Sequence, residues 1–361
     1  MVASPVAENL RITSYKGEYC VRFGEDPQTL LQDVGLGEPH FIVDARVAEL
    51  HRAVLRDVLA APRTVVIEAI EENKSIEHIV TVMRTLVDHK LRRDHHLVAI
   101  GGGIIQDITC FLASTMLRGV RWKFVPTTLL AQADSCIGSK SSVNLGAVKN
   151  ILGTFNPPED IRVSGAFLDT LPERDIRSGI GEIIKVHAID SAASFERLAR
   201  DYERLTRERP VLLEYIQRSL EIKKRYIEQD EFDQGVRNIF NYGHSFGHAI
   251  ESATDFRIPH GIGVTMGMAI ANHIAARRGL LPQEHESRMR PILMRNARGF
   301  EEVPIPFEAT LAALAKDKKN TSSKLVIILP VGPDAAIQKV AVDNDAAFRE
   351  QLEAALEELH T

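Results

Sequence analysis

Between residues 40 and 125 the chain alternates short apolar runs with helical stretches, and that alternation leaves few architectures open to it. His40-Phe41-Ile42-Val43, Thr64-Val65-Val66-Ile67, Leu97-Val98-Ala99-Ile100 and Trp122-Lys123-Phe124-Val125 are β-branched or aromatic and bounded by Gly, Pro or Asp, as strands are. Residues 75–89 predict a helix, because Ile76, Ile79, Val80, Met83, Leu86 and Val87 recur with a 3.6-residue period. Strands separated by such helices imply a parallel sheet covered on both faces. From about Asp175 the strand signal gives way to helices, expected over 178–190, 210–229, 239–253, 261–278, 282–295, 306–316 and 344–359. The β-like run 324–330 is the exception, and it either forms a small hairpin or rejoins another element. The expectation is an α/β domain over residues 1–173 and an all-α domain over 174–361, divided near Leu171-Pro172-Glu173.

A length of 361 residues fits two domains better than one core. A net charge of −5 argues against nucleic-acid binding and against an anionic membrane surface, so an anionic ligand must be held by a local basic cluster. Met1 to Leu10 carries no basic segment followed by an apolar run, and no stretch approaches bilayer length, so the cytoplasm is the default expectation. Cys20, Cys110 and Cys136 are odd in number and widely spaced, which fits reduced thiols.

Metal-ligand chemistry is densest in Asn241-Tyr242-Gly243-His244-Ser245-Phe246-Gly247-His248-Ala249-Ile250-Glu251, answered by His260-Gly261. His244 and His248 share one helix face, and His260 follows the break at Ile258-Pro259, so three imidazoles are able to converge. Ordinary hydrogen bonding of helical histidines is the alternative. Gly101-Gly102-Gly103 closes a strand just before an apolar helix, a place where backbone amides accept a pyrophosphate; a tight turn also wants glycine. Asp44 ends an earlier strand, where a ribose-binding carboxylate or a helix cap would sit. Residues 125–150 mix polar and small side chains without periodicity and read as a long binding loop in which Lys140 and Lys149 suit a phosphate or carboxylate, oriented by Asp134 and Asn150. Glu182 and Lys185 stand three apart among apolar neighbours, and Lys223 falls on an apolar stripe; such charges need a partner or a metal, although a lysine on a stripe also snorkels.

In order, Gly101-Gly102-Gly103, Arg118-Gly119, Pro126-Thr127-Thr128-Leu129-Leu130-Ala131-Gln132, Asp134-Ser135, Lys140, Lys149-Asn150, Glu182, Lys185, Lys223, Arg237, Asn241-Tyr242-Gly243-His244, Gly247-His248, His260-Gly261 and Asp317-Lys318-Lys319 resemble the 3-dehydroquinate synthase family of sugar phosphate cyclases. The resemblance runs from about Asp44 to Asn320. It implies an N-terminal Rossmann-like domain that binds NAD and a helical C-terminal domain that binds Zn2+ or Co2+. It assigns the metal to Glu182, His244 and His260, and turns His248 toward the substrate. It places Lys140, Lys149, Asn150, Lys185, Lys223, Arg237, Asn241, His248 and either Lys318 or Lys319 in the substrate-binding set. The NAD contacts it implies are Asp44, Glu71, Lys74, Gly101, Gly102, Gly103, Asp107, Thr127, Thr128, Asp134, Phe167, Leu168 and Thr170. Arg118 matches an arginine that reaches a neighbouring subunit's site, which implies a homodimer.

The resemblance implies that a seven-carbon sugar phosphate is oxidised, loses phosphate, is reduced again and recloses as a carbocycle by aldol addition. Four positions depart from the usual dehydroquinate-forming pattern: Gln106 for Gly, Ser139 for Gly, Asp233 for Glu and Ile262 for Glu. Arg237 and Asn241 keep residues suited to a substrate with both a carboxylate and a phosphate. The expected activity is 3-dehydroquinate synthase, a carbon–oxygen lyase. The alternatives are a divergent cyclase acting on sedoheptulose 7-phosphate or glucose 6-phosphate, an NAD- and metal-dependent polyol dehydrogenase, and an inactive binding protein on the same scaffold.

Overall fold

The four strand-like runs of the first half form β3 (Pro39–Asp44), β4 (Thr64–Ile67), β5 (His96–Gly101) and β6 (Arg121–Pro126), adjacent and parallel, in the computed structural model. The structure describes residues 9–32, 34, 37–146, 148–315 and 324–360. The chain divides into two compact units, Met1–Pro172 with Ile216–Asp233, and Glu173–Tyr215 with Gln234–Thr361.

The first unit is a seven-stranded sheet in the order β1-β2-β9-β6-β5-β3-β4, with β1 (Leu10–Ser14), β2 (Gly17–Phe23) and β9 (Asp160–Val163) completing it. Only the β1–β2 hairpin is antiparallel in this sheet. The helices α1 (Pro27–Gln32), α2 (Ala45–Leu50), α3 (Arg56–Ala60), α4 (Ile76–Asp88) and α5 (Gly103–Thr115) connect the strands. A core of Phe41, Val43, Val98, Ile100, Val125 and Phe167 is closed by Val47, Leu55 and Val58. On α4 the buried residues are Ile79, Val82 and Leu86; Val80 and Val87 of the expected stripe are solvent-exposed, because one helix face meets the protein and theirs does not.

Strand order reverses between β3 and β5, and the carboxyl end of an open parallel sheet at such a reversal is where α/β folds bind ligands. The loop expected over residues 125–150 is instead structured. It contains a π-helical turn at Ala131–Ser135 and a hairpin of β7 (Lys140–Leu145) and β8 (Val148–Phe155). The polar residues of β7 and the lack of regular alternation in the largely exposed β8 hid the hairpin.

Four histidines gather at the opposite, amino-terminal edge of this sheet. His40 Nε2 and His95 Nδ1 are 3.0 Å apart, the His89 ring lies tilted against His40 at 6.4 Å between centroids, and His96 Nε2 lies 3.3 Å from the Val34 carbonyl. Burial, helped by Arg63 and neighbouring imidazoles at His40 and by Lys123 at His96, pushes both rings down to about 4. Their folded pKa values lie below the ordinary 6.5, so the unfolded chain binds more protons between these limits and stability falls as pH drops from 6.5 toward 4. At pH 5 the expected loss is about 2 kcal/mol per histidine relative to pH 7.5. Urea unfolding at the two pH values checks this, and equal stabilities for the wild type would contradict it.

The second unit is helical: α6 (Glu173–Asp190), α7 (Ala192–Arg207), the start of α8 (Arg209–Ile227), α9 (His244–Ala253), α10 (His260–Arg277), α11 (Gln283–Ala297), α12 (Phe307–Ala315) and α13 (Ala346–Glu358). The run at 324 forms β10 (Lys324–Val331), paired with β11 (Ala336–Asp343), so the hairpin alternative holds. Helix α10 is buried continuously from Gly261 to Ala275 and forms the axis of the unit. It crosses α6 at very short range: a Cβ on Gly261 would lie 1.8 Å from the Ser178 carbonyl oxygen. Only glycine permits that crossing, and it sets Glu182 opposite His260. Among the described residues no helix is long and apolar enough to cross a membrane.

Candidate active site

Glu182 and Lys185 both face the interior of α6, one turn apart and almost fully buried, and they form an ion pair. His260, the first residue of α10, brings Nε2 to 3.4 Å from Glu182 Oε1. His244, the first residue of α9, brings Nε2 to 3.8 Å from the same oxygen. Two ligands on one tetrahedral zinc, each at 2.0–2.2 Å, stand ~3.4 Å apart. Neither carboxylate oxygen of Glu182 completes a well-angled hydrogen bond, as befits an oxygen shaped for an ion.

The far nitrogens of the two imidazoles are anchored. His260 Nδ1 lies 3.2 Å from both Glu251 oxygens, and His244 Nδ1 lies 3.3 Å from the Tyr242 carbonyl. Carboxylate or carbonyl contacts of this kind fix the tautomer and aim the other nitrogen at a metal. Burial opposes charge on Glu182, but Lys185 and the two histidines hold its carboxyl well below the usual range. Burial and Lys185 keep His244 well below its ordinary value, hence neutral and able to coordinate. At His260 burial is outweighed by the neighbouring Glu182 and Glu251 carboxylates, which push the ring up to about 10; a metal must displace that proton.

The expected convergence of three imidazoles is also present: one ring nitrogen from each of His244, His248 and His260 lies within 4.8 Å of the others. His248 is exposed and stacks on His260 at 5.5 Å between ring centroids. A second cluster, His273, Glu286 and Glu358, is closed by Arg290 on Glu358 at 3.0 Å and Gln283 on Glu286 at 2.5 Å. Both of its carboxylates are thus held by neighbouring side chains.

Glu251 had no role in the sequence reading. Its signal was its place seven residues after His244, on the same helical face, but its partner His260 lies on another helix. Glu251→Gln is expected to weaken Zn2+ binding by about 10- to 100-fold while His260 remains in place. Competition against a zinc chelator measures it, and unchanged affinity would contradict the assignment.

Arg237 is buried in a 3-10 turn at Val236–Asn241, and Asn241 Nδ2 donates to the Asn238 carbonyl at 3.0 Å. Ile262 is buried on α10, two residues beyond His260. Lys318 and Lys319 lie outside the described residues.

In the first unit the strand ends after β3, β5 and β6 gather Asp44, Gly101 to Gly103, Thr127 and Thr128. Asp44 caps α2 through a 2.9 Å bond from the Arg46 amide, as the cap reading had it. A Cβ on Gly101 would sit 3.2 Å from Asp44 Cβ, and one on Gly102 would sit 2.9 Å from Thr128. The Thr127 hydroxyl is buried without a partner. Lys74 Nζ joins Asn150 Oδ1 at 2.9 Å, Asp107 at 3.4 Å and Glu71 at 3.5 Å. Asp107 also accepts the Ser142 amide and hydroxyl, and its burial pushes the carboxyl up against the pull of Lys74. Asn144, another residue the sequence reading left without a role, ties Glu71 to Asn150. Phe167 and Leu168 are buried in a 3-10 turn, and Thr170 bonds His51 at 2.8 Å. Phe167 belongs to the core cluster, so its side chain is packing.

Lys140 pairs with Asp233, and Lys223 pairs with Asp134 at 3.0 Å. Lys149 and Arg118 are exposed. Arg118 and the preceding Leu117 both have positive φ, 66° and 53°, a strained turn that holds the arginine outward.

Two family models match the chain: 3-dehydroquinate synthase N-terminal over residues 64–178 and 3-dehydroquinate synthase C-terminal over 179–320. A 3-dehydroquinate synthase of Agrobacterium fabrum strain C58 is 36% identical over 309 residues, covering 81% of this chain and 80% of that protein. A 2-deoxy-scyllo-inosose synthase complexed with carbaglucose-6-phosphate, NAD+ and Co2+ superposes with TM-score 0.82 at 22% identity, over 97% of this chain and 100% of that one. A 2-epi-5-epi-valiolone synthase from Streptomyces hygroscopicus subsp. jinggangensis, with NAD+ and Zn2+ bound, gives TM-score 0.79 at 28% identity, over 94% and 96%.

Proposed function

Because this chain belongs to the 3-dehydroquinate synthase family, we propose that it closes a heptulosonate 7-phosphate to dehydroquinate, with NAD and a divalent metal. It is an enzyme of the sugar phosphate cyclase type, a lyase that eliminates phosphate. The observation that carries the substrate reading is a set of buried cations: Lys185, Lys223 and Arg237 are 2%, 6% and 7% exposed. Burying cations is costly, and a substrate that brings both a carboxylate and a phosphate makes use of them.

Glu182, His244 and His260 would hold Zn2+ or Co2+, and the β3, β5 and β6 strand ends with Lys74, Asp107 and Asp134 would hold NAD. When bound, NAD takes up and returns one hydride while the metal acts as a Lewis acid at the reacting oxygen. The residues of the chain do the rest. Lys140, Lys149, Asn150, Lys185, Lys223, Arg237, Asn241 and His248 would neutralise and orient the substrate. Asp233 keeps Lys140 in one place, and Asp134 does the same for Lys223. The departing phosphate takes up the proton of the acidified C–H, so no separate protein base is required. Lys318 or Lys319 would complete the set. Arg118 would reach the site of a second copy, consistent with its outward turn, which makes the active species a homodimer. The setting we propose is the cytoplasm and the shikimate route to aromatic amino acids.

A second reading has one specific observation in its favour. Asp233, a methylene shorter than the glutamate usual at its place, touches a substrate-binding lysine directly, and a shift in the position of Lys140 changes which sugar fits. Phosphate release with NAD and Zn2+ should be measured in parallel on 3-deoxy-arabino-heptulosonate 7-phosphate, sedoheptulose 7-phosphate and glucose 6-phosphate. The proposal expects the first to be turned over fastest. Activity confined to the other two would replace it with the divergent-cyclase reading.

A further inference from the structure

We infer that Gln106 is a positioning residue for Lys223, acting through the π-helical turn at Ala131–Ser135. Gln106 lies in the first turns of α5 and is 5% exposed. Its side chain makes a reciprocal clamp on Ser135: Gln106 Nε2 donates to the Ser135 carbonyl at 2.6 Å, and Ser135 Oγ donates to Gln106 Oε1 at 2.7 Å. The other wall of the turn is fixed by Gln132, whose Nε2 donates to the carbonyls of Pro126 at 3.0 Å and Ser164 at 2.8 Å. Between these anchors the turn presents Asp134 twice to one ammonium. Lys223 Nζ donates to the Asp134 carbonyl at 2.7 Å and pairs with its carboxylate at 3.0 Å.

A π-turn has poorer intrinsic geometry than the α-helix and persists where its surroundings over-determine it. Here two glutamine side chains supply that constraint, and one of them, Gln106, stands where the family pattern has glycine. A glycine offers no side chain to bond Ser135. In this chain the register of the turn, and with it the direction in which Lys223 is held, depends on the Gln106–Ser135 pair. Removing the pair leaves the Asp134 carbonyl and carboxylate free to move together by a fraction of an ångström, enough to misplace a group that must meet a phosphate or carboxylate.

The inference rests on the reading that Lys223 contacts the substrate, and the experiment separates the two. Lys223→Ala is tested first: if its kcat/KM for the sugar phosphate matches the wild type, the reading of Lys223 fails. With that control abolished or severely impaired, Gln106→Leu is expected to lower kcat/KM on the order of tenfold, with zinc content unchanged. Ser135→Ala, which removes one bond of the clamp, should give a smaller loss in the same direction. In an Asp134→Asn background Gln106→Leu should add less than twofold, since both act on the same lysine. A Gln106→Leu enzyme that is less thermostable but has unchanged kcat/KM, or losses that multiply fully with Asp134→Asn, would overturn the inference.

Discussion

Glu182→Ala is expected to lose its divalent metal and to lower kcat by about a thousandfold or more. The carboxylate is the acidic member of a site whose other members are two imidazoles at 3.4 and 3.8 Å from it. The Lewis-acid contribution of a bound metal is several kcal/mol at the reacting oxygen, and each ~1.4 kcal/mol is tenfold in rate. The substitution also strands the Lys185 ammonium in the interior, where loss of a buried partner costs roughly 3–5 kcal/mol. Glu182→Gln keeps the shape and leaves the Lys185 ammonium an amide oxygen to donate to, which lessens the stability cost while the anionic ligand is still lost. It should fold with near-normal circular dichroism, contain far less than one zinc per chain by mass spectrometry of metals, and be inactive. A Gln variant with stoichiometric zinc and normal turnover would refute the ligand assignment.

The second large effect is expected from Gly261→Ala, a single methyl placed against backbone. At 1.8 Å from the Ser178 carbonyl oxygen the new carbon has no rotamer by which to escape, so α6 and α10 must separate. Their separation moves His260 away from Glu182, and the metal site opens with it. Stability should fall by about 3 kcal/mol or more, and zinc content should fall in the protein that still folds. Thermal unfolding and metal analysis report the two halves. An alanine variant with unchanged melting temperature and full zinc would show that the crossing is more compliant than its geometry indicates.

Much of the frame was legible because periodicity and punctuation agree in it. The runs at 40, 64, 97 and 122 are strands for the reason they look like strands, apolar on both sides and closed by Gly, Pro or Asp. Helix α7 escaped because arginine and glutamate dominate it, although Phe195, Leu198, Tyr202 and Leu205 mark its buried face. The β7–β8 hairpin escaped because β7 is polar and β8 carries no regular alternation to read. At the site, spacing along α9 placed His244 and His248 on one face, but it could not select Glu182 as their partner across 62 residues; the family resemblance did. Glu251 shows the same limit, a residue in plain view whose partner belongs to another helix. The clamp of Gln106 on Ser135 spans 29 residues and becomes visible only once the π-turn is folded.

The central claim is that hydride is borrowed and returned within each turnover while phosphate is lost. The most direct measurement follows inorganic phosphate and absorbance at 340 nm together, with zinc-loaded enzyme, excess heptulosonate 7-phosphate and NAD at a concentration far below the substrate. The account predicts many phosphates released per NAD present, with no lasting rise in NADH. Stoichiometric accumulation of NADH without phosphate release would contradict it and place the chain among the polyol dehydrogenases.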